Sequence, residues 1–489
     1  MKYRGFCGPS YRSQAFTADQ ERLVNRYVER MESPGASTQY ALYPVPGVKV
    51  LHVTTGFQGR AHEFYDGREF IVVANIFFEL DSDAASTFRG FVAIDSNPAT
   101  ISWNGDGGGE LFITSGGNGY LFTLATNVFA SISALTGKAT MGDMLDGYFL
   151  ALDANTGTFY SSELQDGATW TTSTMFAQRS KAPDPWIALK VFGQYIWLLG
   201  SQTGEVWYDA GSSPFPFAPH PSGLVQYGTA AAWSVKAAGA SLMWLAAAKD
   251  GAAQVMRASG FTPENVATYP VQFAMSQYRA VSDAYADSYS EAGHTFYILG
   301  FPSQNVASWV YDLEMQMWHE RGTWDTTQDT DDFKIWRPRA HAYAFGEHRW
   351  LDINGGQVYR SGLDLYSDEF VHGSAEGIRW LRRAPAIFAE NERIQFPSFE
   401  LDVQPGVGLE TGQGSDPQVM MRYSRDGGQT WSRERMRSAG KIGEYGNRCI
   451  WFRLGTARRM VIEVSGSDPV PFRITDARLP GIVLPERAA

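Results

Sequence analysis

The residues that most suggest chemistry stand near the C-terminal end, where Ser424, Asp426, Gly427, Gly428, Thr430 and Trp431 fall within the run SRDGGQTW. Ser-x-Asp-x-Gly-x-Thr-Trp is the pattern of the Asp-box on sialidase propeller blades, and the chemistry it would announce is glycoside hydrolysis. That chemistry needs more than a box: repeated boxes, three arginines clamping a carboxylate, a Tyr/Glu nucleophile pair, and an acid at a defined separation from its partner carboxylate. One full box is present, and nothing in the sequence sets two carboxylates at that separation. A tight turn accounts for every residue of the motif. The Asp carboxylate accepts backbone N–H groups, the glycines allow positive φ, and the Trp packs beneath. The expectation is a structural turn with no catalytic residue.

Other chemistries find less support. The histidines, at 52, 62, 220, 294, 319, 341, 348 and 372, form no HxH or HExxH cluster, so no metal site is expected. The acidic run DTDD at 329–332 lacks the Gly and distal Glu of a calcium loop and reads as a solvated loop. TGKAT at 136–140 lacks the upstream Gly of a phosphate loop, and no GxSxG elbow occurs. No cofactor is expected.

One polar feature stands out. Residues 421–460 hold ten basic groups against three acidic ones, in a chain whose net charge is −11. The rest of the chain therefore carries −18, which disfavours general attraction to nucleic acid or anionic lipid. Arg433, Arg435 and Arg437 alternate, so a strand would project all three from one face, where guanidinium forks could grip carboxylates or phosphates. With Lys441, Arg448, Arg453, Arg458 and Arg459 they form a candidate docking face, which suits an acidic protein surface at least as well as nucleic acid. A merely solvated face is the alternative.

The elements that must carry these residues are strands. A unit of aromatic-rich strand, Gly/Asn/Asp turn and second strand starts at Arg68, Leu111, Tyr148, Tyr195, Leu242, Thr295 and Arg349, the starts being 37 to 54 residues apart. That matches the period of about 40–50 residues of β-propeller blades, so the sequence implies an all-β chain with a body of six to seven blades over 51–384. A pair of β-sandwiches is the alternative. From 385 to 489 the composition changes, and a separate C-terminal β-sandwich-like domain carries the basic face; NRCIWFRL there alternates like a two-faced strand. Residues 1–50 read as an N-terminal docking arm in which Leu23, Tyr27 and Met31 are spaced for a helix over 17–31. Cys7 and Cys449 match no zinc or CxxC spacing and are expected as free thiols of a chain assembled in a reducing cytosol. No apolar run approaches a membrane span and the N-terminus has no recognisable export signal, so a soluble chain is expected.

With these pieces in order, the sequence resembles the packaged-DNA stabilisation proteins of tailed phages, the tail hub or nozzle proteins best known in short-tailed viruses. The resemblance runs through NRYVE (25–29), ALYPVPGV (41–48), GQYIWLLGSQTGEVWYDAGSSPFPF (193–217), AGHTFYILGFP (292–302), WVYDLEMQMWHERGTW (309–324) and the stretch from Ser424 to Pro471. It departs in an Arg/Pro tail and in the helical periodicity of the arm, where the family implies a more extended path.

The resemblance implies a structural virion protein and no enzyme. It implies a ring of six copies beneath the head–tail adaptor that docks on the portal. The ring would extend the DNA channel, help retain packaged DNA until ejection, and anchor fibres, tailspikes or a needle. DNA would pass through the lumen transiently and without specificity, and assembly would occur in the bacterial cytoplasm. A glycan-binding or sialidase-like propeller, or a monomeric receptor-binding propeller, is the rival reading.

Overall fold

The computed structural model describes residues 2–15, 17–181, 183–247, 253–324, 332–389 and 392–484. It is built from strands; among the described residues the one α-helix is Tyr269–Ser276, and no helix is long and apolar enough to cross a membrane.

Seven four-stranded antiparallel units form the blades of a propeller, the first beginning at Gly59 and the last including Pro338–Ala344, Glu347–Asp352 and Gln357–Gly362; the first five are separate sheets, whereas the sixth and seventh are parts of larger ones. The seven repeat units seen in sequence are the second and third strands of the seven blades. Those second strands are apolar without alternation, as in FIVV, LFIT and IWLL, because each blade packs a neighbour on both faces. Leu111, Phe112 and Ile113 are all fully buried. The fourth strands of the first and third blades, Ser86–Phe91 and Phe176–Gln178, are more exposed and present Phe88, Phe91 and Phe176 at the surface. A two-residue turn joins first to second strand in several blades: Asp66–Gly67, Asp146–Gly147, Ala292–Gly293 and Phe345–Gly346 all have positive φ at both positions. This is the hairpin geometry whose twist matches that of the strands, and it sets the register in those blades.

The first strands stand side by side around the axis, and the last blade returns to the first. The ring is fastened by the N-terminal part of the chain, since Gly47–Val53 is the fourth strand of blade seven, with Val48 opposite Ser361 and Val50 opposite Tyr359. Gly47 is obligatory there, because a Cβ would meet the Ser367 carbonyl oxygen at 2.3 Å.

The C-terminal part is a two-sheet sandwich. One sheet contains Trp380–Arg383, Arg459–Gly466, Gln418–Ser424 and Arg435–Ser438; the other contains Ile474–Arg478, Arg393–Val403 and Cys449–Ala457. Phe396, Phe399, Trp451, Met421 and Ile462 fill the space between. Cys7 and Cys449 are free; Cys449 lies in this core with Cys7 packed against it, and burial pushes both thiols up to about 12.

The helix expected over 17–31 is not formed. Gln20–Val24 and Arg26–Arg30 are strands, and the i, i+4 spacing of Leu23 and Tyr27 places them in different sheets. Leu23 pairs against Arg382 of the sandwich, while Val24 lies beside Glu320 of blade six, so one continuous sheet runs from blade six through 20–24 into the sandwich. Arg26–Arg30 then pairs with Tyr40–Pro44, which joins the second sandwich sheet. Edge pairing and burial on both sides override the weak helical periodicity. The extended path implied by the family resemblance is the one taken, and the segment threads through both units.

Candidate functional site

The SRDGGQTW run closes the connection between the Gln418–Ser424 and Arg435–Ser438 strands. Asp426 accepts the backbone N–H groups of Gln429 and Thr430 at 3.0 Å and the Thr430 hydroxyl at 2.5 Å, and Ser424 Oγ donates to it at 2.6 Å. Gly427 and Gly428 adopt φ of 79° and 104°. Desolvation raises the Asp426 carboxyl, but the bonds from Ser424, Thr430 and Gln429 outweigh it and hold the group well below the usual carboxylate range. Trp431 is covered by the guanidinium groups of Arg383 and Arg422, whose Nε atoms both donate to the buried Glu463. The Ser424, Asp426 and Thr430 side chains are thus engaged in building the turn, and the Trp431 ring anchors it to the sheet.

The arginines do not form the open row expected from their spacing. Arg433 precedes the strand, and the strand begins at Arg435. Arg435 and Arg437 turn toward the facing sheet and donate to the carbonyls of Phe452, at 2.6 Å, and Ile450, at 2.9 Å. Arg448 pairs with Glu400 at 2.7 Å, and Arg459 lies over the Phe388 ring. Arg453 adopts a left-handed φ of 62° where the strand register shifts. Arg433, Lys441 and Arg453 are exposed and carry no side-chain partner among the described residues, whereas Arg458 does have one. Beside them lie the exposed apolar side chains of Met436, Ile442, Tyr445 and Phe452. The surface is amphipathic, with a minority of its cations free to meet a partner.

Sequence reasoning missed the junction, where buried charges tie the N-terminal thread to both units. Asn25 sits between the two N-terminal strands with φ 55°; its side chain donates to the carbonyls of Gly322 and Arg379, at 2.8 and 2.7 Å, and accepts from Gly322 N at 2.9 Å. An asparagine tolerates the left-handed conformation and supplies both donor and acceptor, so it turns the thread from one sheet to the next without an orphaned amide. Arg26, fully buried and without a carboxylate, donates to the Phe472 carbonyl at 2.6 Å and lies 4.2 Å from the Trp380 ring. Arg22 grips Glu320 through two nitrogens. Arg382, fully buried, donates to the carbonyls of Phe6, Pro9 and Gly5 and to Glu21. His294 bridges Asp312, at 2.7 Å, and Glu29 of the thread, at 3.1 Å. Burial lowers its pKa, but the two carboxylates outweigh this and raise it to about 9. The signal available in sequence was the run NRYVE itself, in which Asn25 and Arg26 stand between the apolar pairs Leu23–Val24 and Tyr27–Val28.

The propeller axis is closed to large ligands. A cavity of about 150 Å³ lies among the first strands, and its lining interleaves basic and acidic side chains. Lys190 meets Asp143 at 2.7 Å and Lys236 lies 3.8 Å from Asp287. Burial raises the Glu63 carboxyl there despite both lysines. Such a space holds a few waters and no duplex, whose major groove alone is about 12 Å wide. Among the described residues no three His, Cys, Asp or Glu side chains gather as a metal site; Asp329 and Asp331 of the DTDD run lie outside the described residues.

Residues 10–360 match the family model described as Bacteriophage P22 Gp10, beta-propeller, and residues 379–480 match that described as Bacteriophage P22 Gp10, beta-sandwich. No curated protein matches the chain. Among solved structures it is similar to a streptogramin B lyase, at 7% identity and TM-score 0.39 over 65% of this chain and 98% of that one. It is also similar to a catalytically inactive virginiamycin B lyase from Staphylococcus aureus, at 10% identity and TM-score 0.39 over 65% and 99%. PorZ of Porphyromonas gingivalis is 12% identical with TM-score 0.37, over 72% of this chain and 44% of that one. None of these three carries an argument about activity.

Proposed function

Since the chain belongs to the phage P22 Gp10 family, whose members are structural proteins of the virion tail, we propose that it forms the hub or nozzle ring, six copies around the DNA axis beneath the portal-bound adaptor. In this reading the ring extends the DNA channel, helps to retain the packaged genome, and anchors fibres, tailspikes or a needle. It acts without catalysis and assembles in the host bacterial cytoplasm.

One observation carries the reading: the propeller and sandwich models of the family follow one another in order and together span 10–360 and 379–480. Charge and shape agree with it. The axial cavity is far too small for DNA, so a genome would pass between subunits and not through a propeller. Outside 421–460 the chain carries a net −18, and a wall of that sign repels phosphates and lets DNA slide. The unpaired cations of the sandwich, Arg433, Lys441 and Arg453, then serve protein neighbours such as the adaptor or the next copy. The turn at Asp426 is engaged in its own hydrogen bonds, which supports a structural role for the motif.

Electron microscopy of purified virions tests the proposal. The expected result is a closed ring of this chain on the DNA axis below the portal, with the acidic surfaces facing the lumen. Absence from the axis, or arginines of 421–460 lining the channel, would overturn it.

A further inference from the structure

Cys449–Ala457 is an outermost strand of its sheet, paired along its length with Arg393–Val403 on one side only. Along its other edge the carbonyls of Ile450, Phe452 and Leu454 are taken in turn by Arg437 (2.9 Å), Arg435 (2.6 Å) and Arg425 (2.7 Å). Alternate carbonyls of a strand lie about 6.6 Å apart. Three arginines from the facing strand and its turn therefore form a comb over an edge that would otherwise be open. An uncovered edge is a template for a further strand.

We propose that this edge is a strand-accepting interface, held closed in the free chain by its own arginines. The strand it takes is an extended segment of another chain in which carboxylates alternate with apolar side chains. The proposal rests on the sandwich being a docking face, as in the hub reading.

The exchange is favourable at each position. An arginine leaves a neutral carbonyl for a carboxylate, which makes a charge-assisted bond at both ends, and the carbonyl receives a backbone N–H from the incoming strand. The bonds given up by Arg435 and Arg437 are solvent-exposed, so opening them costs little. The side-chain pattern follows from register. Trp451 points into the core, while Phe452, 56% exposed, and Ile450 share the outer face. Residues of an added strand lying opposite Ile450 and Phe452 share that outer face and are apolar, and the residues between them point toward the arginines and are acidic. Arg433, Lys441 and Arg453 add unpaired positive charge that steers such a segment.

The test is binding of a labelled, end-blocked seven-residue peptide alternating glutamate and valine to the full-length chain, against the same peptide methylated at its valine nitrogens. Methylation leaves the charge intact and removes the donors to the Ile450 and Phe452 carbonyls. Saturable binding that weakens at least about tenfold on methylation is expected. Arg435→Gln with Arg437→Gln should weaken it by a similar factor, and Arg433→Gln with Lys441→Gln only about twofold. If the first pair melts early, the methylated peptide on the natural chain decides. Absence of saturable binding, or equal binding of both peptides, overturns the inference. The hub reading fails separately: a virion ring without peptide binding removes only the strand-accepting edge, and peptide binding by a chain absent from the axis removes only the hub.

Discussion

The propeller and the sandwich solve the same problem, the open edge of a sheet, in different ways. The propeller closes its ring with a strand from the other end of the chain, Gly47–Val53 against Gln357–Gly362, so the first and last blades are tied. The sandwich leaves the Cys449–Ala457 edge without a strand and covers it with arginine side chains. A strand is a permanent closure and a side chain an exchangeable one. That difference places rigidity in the propeller and adaptability on the sandwich, even though both depend on the same N-terminal thread.

The sharpest way to break the comparison is to weaken each core separately. Trp244 in the propeller and Trp451 in the sandwich are both fully buried, and replacing either with Ala should cost about 3–5 kcal/mol. Because one sheet runs from blade six into the sandwich, both substitutions should lower a single calorimetric transition. Two separate transitions, each sensitive to one tryptophan, would show the units to be thermodynamically independent.

Asn25 probes the link itself. Asn25→Ala removes three side-chain hydrogen bonds and forces a Cβ residue without a polar group into the left-handed region, an expected loss of about 3 kcal/mol. Asn25→Gly keeps the backbone freedom and should lose less. Equal losses in denaturant titration would mean that backbone strain contributes nothing.

What the sequence revealed follows this same division. The seven hairpins were legible because each is a local unit whose apolar second strand and turn stand next to one another in the chain. The Asp426 turn was legible for the same reason. The thread was not: Leu23 and Tyr27 have helical spacing, and only their distant partners, Arg382 and Tyr43, reveal that they belong to two sheets. The arginine row was half legible. Alternation gave Arg435 and Arg437 a common direction, but their acceptors are carbonyls of a strand about 15 residues on, which no side-chain pattern announces.

A smaller effect separates the thread from the blade it touches by pH. His294 has a folded pKa raised to about 9 by Asp312 and Glu29, so its contribution is fully present below its ordinary value near 6.5 and is lost as pH rises through 9. Up to about 3 kcal/mol should therefore disappear between pH 6.5 and 9. His319, lowered to about 4 by burial, titrates outside this window. His294→Gln should flatten the fall in denaturation midpoint over those pH values; an unchanged slope would assign it to another group.

The smallest expected change in stability is on the sandwich surface, and it sharpens the contrast most. Arg433, Lys441 and Arg453 are exposed and make no side-chain bond among the described residues, so replacing Arg433 and Lys441 with Gln should move stability by less than about 0.5 kcal/mol. Arg435 and Arg437 are close neighbours in sequence, yet replacing them uncovers two solvent-exposed edge carbonyls of Cys449–Ala457, at about 0.5 kcal/mol each. Both pairs remove two positive charges, so any difference between them reports the carbonyl bonds and not the field. If the two double variants unfold at the same denaturant concentration, the arginines are held by general electrostatics and the edge is covered by nothing specific; if only the second is weakened, and it also self-associates on a sizing column, the comb is what keeps that edge from pairing.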